Sequence, residues 1–160
     1  MIRHCNAADT DRIASIINDA AQAYRGVIPP DRWHDPYMSV DALKAEIEAG
    51  VAFRGWERAD GLAGVMGLQR VKNATLIRHA YVRGGNQRRG IGGELLAALA
   101  AETGGRLLVG TWAAAHWAIR FYERNGFRLT GTEEAHRLLD IYWTIPAAQR
   151  DASVVLIREG

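Results

Sequence analysis

Cysteine is nearly absent from this chain. Cys5 stands alone among 160 residues, so no internal disulfide can form. A chain of this length closes a core without one, and such cysteine usage reads as that of a protein kept in a reducing cytoplasm. Charge of one sign is scarce as well: 20 basic against 18 acidic residues leave a net +2. Outside the pair Arg88-Arg89 no Lys/Arg block stands out, which counts against nucleic acid as the partner. No apolar run approaches the roughly 20 residues that span a bilayer. Met1-Ile2-Arg3-His4 runs directly into folded-looking sequence without a leader pattern, so no membrane partner is expected. The five histidines are scattered and Cys5 has no ligating neighbours, so no metal site is expected. Repeats and low-complexity stretches are missing too, and residues 1–160 read as one domain.

Glycine, by contrast, is plentiful and concentrated where it matters. In Val82-Arg83-Gly84-Gly85-Asn86-Gln87-Arg88-Arg89-Gly90-Ile91-Gly92-Gly93 a β-rich segment (Thr75 to Val82) enters and an Ala/Leu-rich helical segment (Glu94 to Glu102) leaves. A glycine-rich turn at a helix start presents unpaired N–H groups. The helix dipole and the two arginines add positive charge at the same place, which makes a site for a pyrophosphate. A P-loop would need a Lys-Ser/Thr pair after the glycines; here Gly92-Gly93-Glu94 follows.

The remaining pattern is α+β. Ile2 to Cys5 reads as a strand. Asn6 or Asp9 caps a helix to about Tyr24, with Ile13, Ile16, Ile17 and Ala20 on one face. Arg25-Gly26-Val27-Ile28-Pro29-Pro30 ends it, and an aromatic loop (Trp33, His34, Tyr37) leads to a second helix capped by Ser39 and stopped by Gly50. Strands are predicted over 51–57, 62–71 and 75–82, the first two joined by a turn at Asp60-Gly61. A strand over 106–111 and a helix over 114–125 follow the glycine loop and its helix. Strands at 127–131 and 153–158 close the chain, with 133–142 helical and 146–151 a loop between them. A dinucleotide-binding fold alternates strand and helix throughout, and this chain does not.

Gln87-Arg88-Arg89-Gly90-Ile91-Gly92 matches the acyl-CoA signature [Q/R]-x-x-G-x-[G/A], and Ala118-Ile119-Arg120-Phe121-Tyr122-Glu123-Arg124-Asn125-Gly126-Phe127 matches A-x-x-[FL]-Y-x-x-x-G-F. On these two motifs and the element order the chain resembles the GNAT superfamily of N-acetyltransferases. That resemblance implies a mixed, mostly antiparallel sheet flanked by helices, with a splayed strand pair that admits acetyl-CoA. The implied pantetheine contacts are the backbone of Ala80, Tyr81 and Val82. The implied pyrophosphate contacts are the amides of Arg88, Arg89, Gly90, Ile91, Gly92 and Gly93, with the Gln87 side chain as an extra donor. A Cβ at Gly90 or Gly92 would hold the phosphates off those amides.

The resemblance also assigns chemistry: the Ala80 amide to the oxyanion and the Tyr122 phenol to the departing thiolate. Tyr122 has a packing alternative, because it shares a helical face with Ala118, Phe121 and Asn125. Two positions depart from the family pattern. Ala115 stands where many relatives carry an Asn, and Gly110 where some carry a glutamate base. The base stays open between His79, His116 and a chain of waters. Strand alternation groups Leu76, Arg78 and Ala80 on the acyl face and turns His79 away with Ile77 and Tyr81; a bulge would reverse that. Arg78 is either a reader of substrate carboxylate or phosphate or one half of a salt bridge. Tyr24, Trp33 and Trp112 are candidate acceptor contacts, with Arg25, His34, Tyr37 and Trp117 nearby, or else core and interface residues. The expected acceptor is the primary amine of a small molecule. A protein N-terminus or lysine, or a CoA-binding sensor without catalysis, are the alternatives. Relatives are often homodimers.

Overall fold

The structure, a computed structural model, describes residues 1–84 and 90–160. Strand β1 (Ile2–His4) runs into a capping box: the Asn6 side chain accepts from the Ala8 amide at 2.9 Å, and Asp9 accepts from the Asn6 amide at 2.8 Å. A 3-10 turn (Ala7–Asp9) then opens α1 (Thr10–Ala20), which buries Ile13, Ile16 and Ile17 and continues as a second 3-10 turn through Tyr24. Ser39 Oγ accepts from the Ala42 amide at 3.1 Å and starts α2 (Val40–Glu48).

Strands β2 (Ala52–Arg58), β3 (Gly61–Val71) and β4 (Ala74–Val82) form a meander, the first turn made at Gly61 with φ +113°. Helix α3 (Ile91–Thr103) follows, then β5 (Leu107–Trp112), α4 (His116–Arg124) and β6 (Arg128–Leu129). Helices α5 (Thr132–Tyr142) and α6 (Ala147–Asp151) lead to β7 (Ser153–Arg158). Two expectations change here. Residues 147–151 are helical rather than loop, because Pro146 opens a run of helix formers and Arg150 ties it to Asp140 of α5 at 3.2 Å. The strand expected over 127–131 shrinks to two residues, since Phe127 is in the core and α5 begins at Thr132.

The sheet has seven strands in the order β1-β2-β3-β4-β5-β7-β6, all antiparallel except β4 beside β5. On one face, α3 and α4 pack Leu95, Leu99, Tyr122 and Phe127 onto Met66, Ile77, Leu107 and Val109. The other face is divided. Helices α1 and α2 cover Val51, Phe53, Leu62 and Val65, while α5 covers Leu76, Leu108, Val155 and Ile157.

Two irregularities in β4 position the site. Its parallel pairing with β5 runs from Thr75–Leu107 to Ile77–Val109 and stops, although β4 stays on β3 to Val82 and β5 stays on β7 to Trp112. The strands therefore diverge. Gly67 faces Arg78 and Val65 faces Tyr81, so the single residue Met66 opposes both His79 and Ala80. This is a β-bulge, with His79 at φ +55°. It corrects the alternation expected from the sequence: Arg78 and His79 both reach Glu46 on α2, whereas Ala80 and Val82 join Ile77 on the α3 face.

The N-terminal strand is clasped by Arg3, which pairs with Asp9 at 2.8 Å and Glu57 at 2.9 Å. The Arg3 guanidinium holds the Asp9 carboxyl down from the ordinary 3.8 to about 2. A depressed folded-state value contributes stability that is complete above the unfolded-state value and is lost as pH falls through the folded one. Asp9→Asn keeps an acceptor for the Asn6 amide and removes the charge. It is expected to lower the thermal midpoint at neutral pH, with the gap to wild type closing between about pH 4 and pH 2, as calorimetry across that range will test.

Candidate functional site

The divergence of β4 and β5 opens a cleft of about 1020 Å³ that passes through the sheet. Its α3 mouth is built from glycine. Gly90 opens α3 in the left-handed region at φ +78°, and no side chain caps the helix. The first intrahelical bond is Glu94 N to Gly90 O at 3.0 Å, so the amides of Ile91, Gly92 and Gly93 have no acceptor within the helix. At Gly92 the structure adds a reason for glycine: a Cβ there would stand 3.1 Å from the Phe121 ring, so the residue keeps α3 and α4 in close contact.

Gly84 donates to Asp19 Oδ2 of α1 at 2.8 Å, which fixes the exit from β4. Gln87, Arg88 and Arg89 of the acyl-CoA signature lie outside the described residues. Arg120 and Arg124, one turn apart on α4, line the same mouth and have no acidic partner among the described residues. Sequence reasoning missed them, although their i,i+4 spacing inside the second motif was a usable signal.

Ala80, Tyr81 and Val82 line the cleft from the β4 side. Beyond Ile77, β4 no longer pairs with β5, so a ligand can approach this edge of the strand. Tyr122 is packed into the core and also reaches the cleft. It is 6% exposed, edge-on to Phe121 at 5.1 Å and tilted on Phe127 at 5.4 Å, and it also lines the cleft. Burial pushes its phenol above the ordinary range, so it holds its proton at neutral pH.

On the opposite face the bulge brings His79 to the cleft, while His116 lies exposed at the start of α4. His79 Nε2 sits 2.8 Å from Glu46 Oε1, and the ring stacks between Phe53 at 6.2 Å and Tyr81 at 6.4 Å. Arg78 is occupied by Glu46 Oε1 at 2.9 Å and Gln69 Oε1 at 2.8 Å, and its side chain does not line the cleft; the salt-bridge alternative describes it. Burial pushes the Glu46 carboxyl up, but the His79 hydrogen bond and the charges of His79 and Arg78 outweigh it, so the net shift is downward.

Of the aromatic candidates, Tyr24 lines the cleft and packs on Trp117 at 5.8 Å and Tyr37 at 5.8 Å. Trp33 stands behind, stacked on Tyr37 at 5.7 Å with the Arg25 guanidinium over its ring. Trp112 is also set back, buried with Ile28 and Ala115. Ala115, the residue that caps α4, is fully buried in this apolar cluster. Gly110 is close-packed in a different way: a Cβ there would meet the Trp143 indole at 3.2 Å. Trp143 and Glu46 both escaped the sequence reading. Their roles depend on elements remote in the chain converging on β4 and β5.

Among the described residues no group of His, Cys, Asp and Glu is arranged to hold a metal ion, and no helix is long and apolar enough to cross a membrane. The family model of the acetyltransferase (GNAT) domain matches residues 15–140. No curated protein matches the sequence. Among solved structures, a GNAT-family acetyltransferase from Staphylococcus aureus superposes with a TM-score of 0.73 at 19% identity, covering 99% of this chain and 98% of its own. The PaiA N-acetyltransferase of Thermoplasma acidophilum, solved with coenzyme A, gives 0.72 at 15% identity over 100% and 98%. A ribosomal-protein-alanine N-acetyltransferase from Brucella melitensis gives 0.69 at 18% over 100% and 99%. At these identities the likeness establishes the fold.

The contact at Gly110 yields a prediction. Gly110→Glu forces a side chain against Trp143, and overpacking of this kind costs about 1–3 kcal/mol. Urea unfolding is expected to show that loss; an unchanged midpoint would mean that Trp143 moves aside freely.

Proposed function

The chain belongs to the GNAT family of acetyltransferases, and from that premise we propose that it acetylates the primary amine of a small molecule by direct transfer from acetyl-CoA. The diphosphate of the cosubstrate binds the open amides of Ile91, Gly92 and Gly93, with Arg120 and Arg124 supplying charge. The pantetheine arm lies along β4 at Ala80, Tyr81 and Val82, on the side that diverges from β5. The Ala80 N–H donates to the acyl oxygen as negative charge develops there. His79 takes the proton of the attacking amine, the C–N bond forms as the C–S bond breaks, and the Tyr122 O–H gives its proton to the departing sulfur.

Direct transfer is supported by the position of the single thiol. Cys5 lies away from the cleft, and burial pushes it up to about 11, which suppresses the nucleophilic thiolate. The single observation that carries the small-molecule reading is the packed aromatic wall. Tyr24 and Trp117 close the acceptor side of the cleft, backed by Tyr37 and Trp33 in a chain of ring contacts, where a polypeptide acceptor requires an open groove. A reducing cytoplasmic setting accords with the lone cysteine.

The test follows free-thiol release from acetyl-CoA with a panel of small primary amines beside peptides bearing a free N-terminus or lysine. Turnover is expected on small amines and not on peptides. The reverse pattern would overturn the small-molecule reading, and binding of the cosubstrate without thiol release on any acceptor would favour a sensor. Tyr122→Phe is expected to lower kcat about 10²-fold, as loss of a general acid does, with the KM for acetyl-CoA little changed. Near-normal kcat across pH would remove Tyr122 from the mechanism.

A further inference from the structure

We infer that Glu46 of α2 is a positioning residue that sets the orientation and basicity of His79, and that Arg78 limits its effect by sharing the same carboxylate oxygen. The inference rests on the reading of His79 as proton acceptor. Three observations carry it. First, an extended backbone at residue 79 would turn its side chain to the α3 face, between Ile77 and the helix; the bulge at φ +55° turns it to the α2 face instead. A non-glycine residue is uncommon there and is held by its surroundings. Second, Glu46 meets the imidazole end-on at Nε2, while Phe53 and Tyr81 sandwich the ring. Nδ1 has no partner among the described residues, and His79 lines the cleft. The ring is thereby fixed as the Nε2–H tautomer, with the Nδ1 lone pair left to accept a proton. Third, Arg78 reaches the same Oε1 atom, at 2.9 Å against 2.8 Å for His79.

The geometry makes a three-body balance. The carboxylate favours the imidazolium that forms when the amine gives up its proton. The guanidinium draws on the same oxygen and opposes that charge. Lining the cleft beside His79 are the phenols of Tyr81 and Tyr24, with Tyr37 behind, each pushed up by burial and therefore uncharged at neutral pH. Asp19, Arg25, His34, Lys44 and Glu48 also belong to this side but make no described contact with His79; Glu46 contacts it directly and Arg78 acts through Glu46.

The two partners predict opposite displacements, which a merely structural role would not produce. In Glu46→Gln the imidazole loses its anion and keeps the cation. The acid limb of the kcat–pH profile is expected to move to lower pH, and kcat at the plateau to fall about tenfold or more, as for loss of a group that orients a catalytic side chain. In Arg78→Gln the carboxylate serves His79 alone, and the limb is expected to move to higher pH. The KM for acetyl-CoA stays within about twofold in both, because the α3 mouth is untouched. Glu46→Asp, which keeps the charge, is expected to restore part of the loss. NMR titration of the His79 ring without ligands reads the same two displacements and needs no turnover. Shifts in the same direction, or no shift in either variant, would overturn the inference. A profile that His79→Ala leaves unchanged would overturn the reading of His79 as base together with it. A profile altered by His79→Ala but by neither Glu46→Gln nor Arg78→Gln would overturn the role of Glu46 alone.

Discussion

Everything at the site depends on β4 and β5 ceasing to pair after Ile77 and Val109. A parallel pair left to itself would close. Here each strand is retained by its other neighbour, β4 by β3 out to Val82 and β5 by β7 out to Trp112, so the gap is built into the sheet. The edges that a continuous ladder would cover can be approached by a guest instead. The uncapped start of α3 stands at one mouth of the gap and supplies free N–H groups. The aromatic wall of Tyr24 and its neighbours stands at the other. In the proposed reaction, anion recognition and acceptor recognition are separated by the thickness of the sheet, and the reacting atoms are placed where Ala80 and Tyr122 both line the gap.

The electrostatics follow this division. The α3 mouth is cationic, with Arg120 and Arg124 beside open amides. Inside, burial keeps the Tyr24, Tyr81 and Tyr122 phenols protonated. The carboxylate beside the site, Glu46, is held ionised between Arg78 and His79. In the proposed mechanism the proton acceptor, His79, lies on the α2 side of the gap and the proton donor, Tyr122, on the α4 side. That is the polarity required when an amine loses a proton and a thiolate gains one.

Much of this was legible in the sequence where local chemistry decides. The Asn6 capping box, the Ser39 cap, the Asp60-Gly61 hairpin and the glycine that opens α3 each carry their own signal within a few residues. The second motif placed Tyr122 on a helix, α4, and the first put Gly90 at the opening of another, α3, which starts three residues earlier than expected. What escaped was decided by packing between distant segments. Nothing in Arg78-His79-Ala80 announces a bulge, because a histidine at positive φ is held by Glu46, Phe53 and Tyr81 from elsewhere in the chain. Alternation therefore assigned His79 and Ala80 to the wrong faces. The closure of Gly110 by Trp143 comes from helices between β6 and β7. The setting-back of Trp33 and Trp112 depends on how the loop before α2 folds over Ile28 and Ala115, where the hydrophobicity of a tryptophan is equally served by core or cleft.

The central claim, that the gap between β4 and β5 is where coenzyme A binds, is tested most directly by backbone amide NMR of the protein titrated with coenzyme A. The account predicts that the largest shifts fall on Ala80 to Val82 and on Ile91 to Gly93. Shifts confined to another surface, such as the groove lined by Cys5, Lys44 and Ile47, or no shifts at saturating ligand, would contradict it.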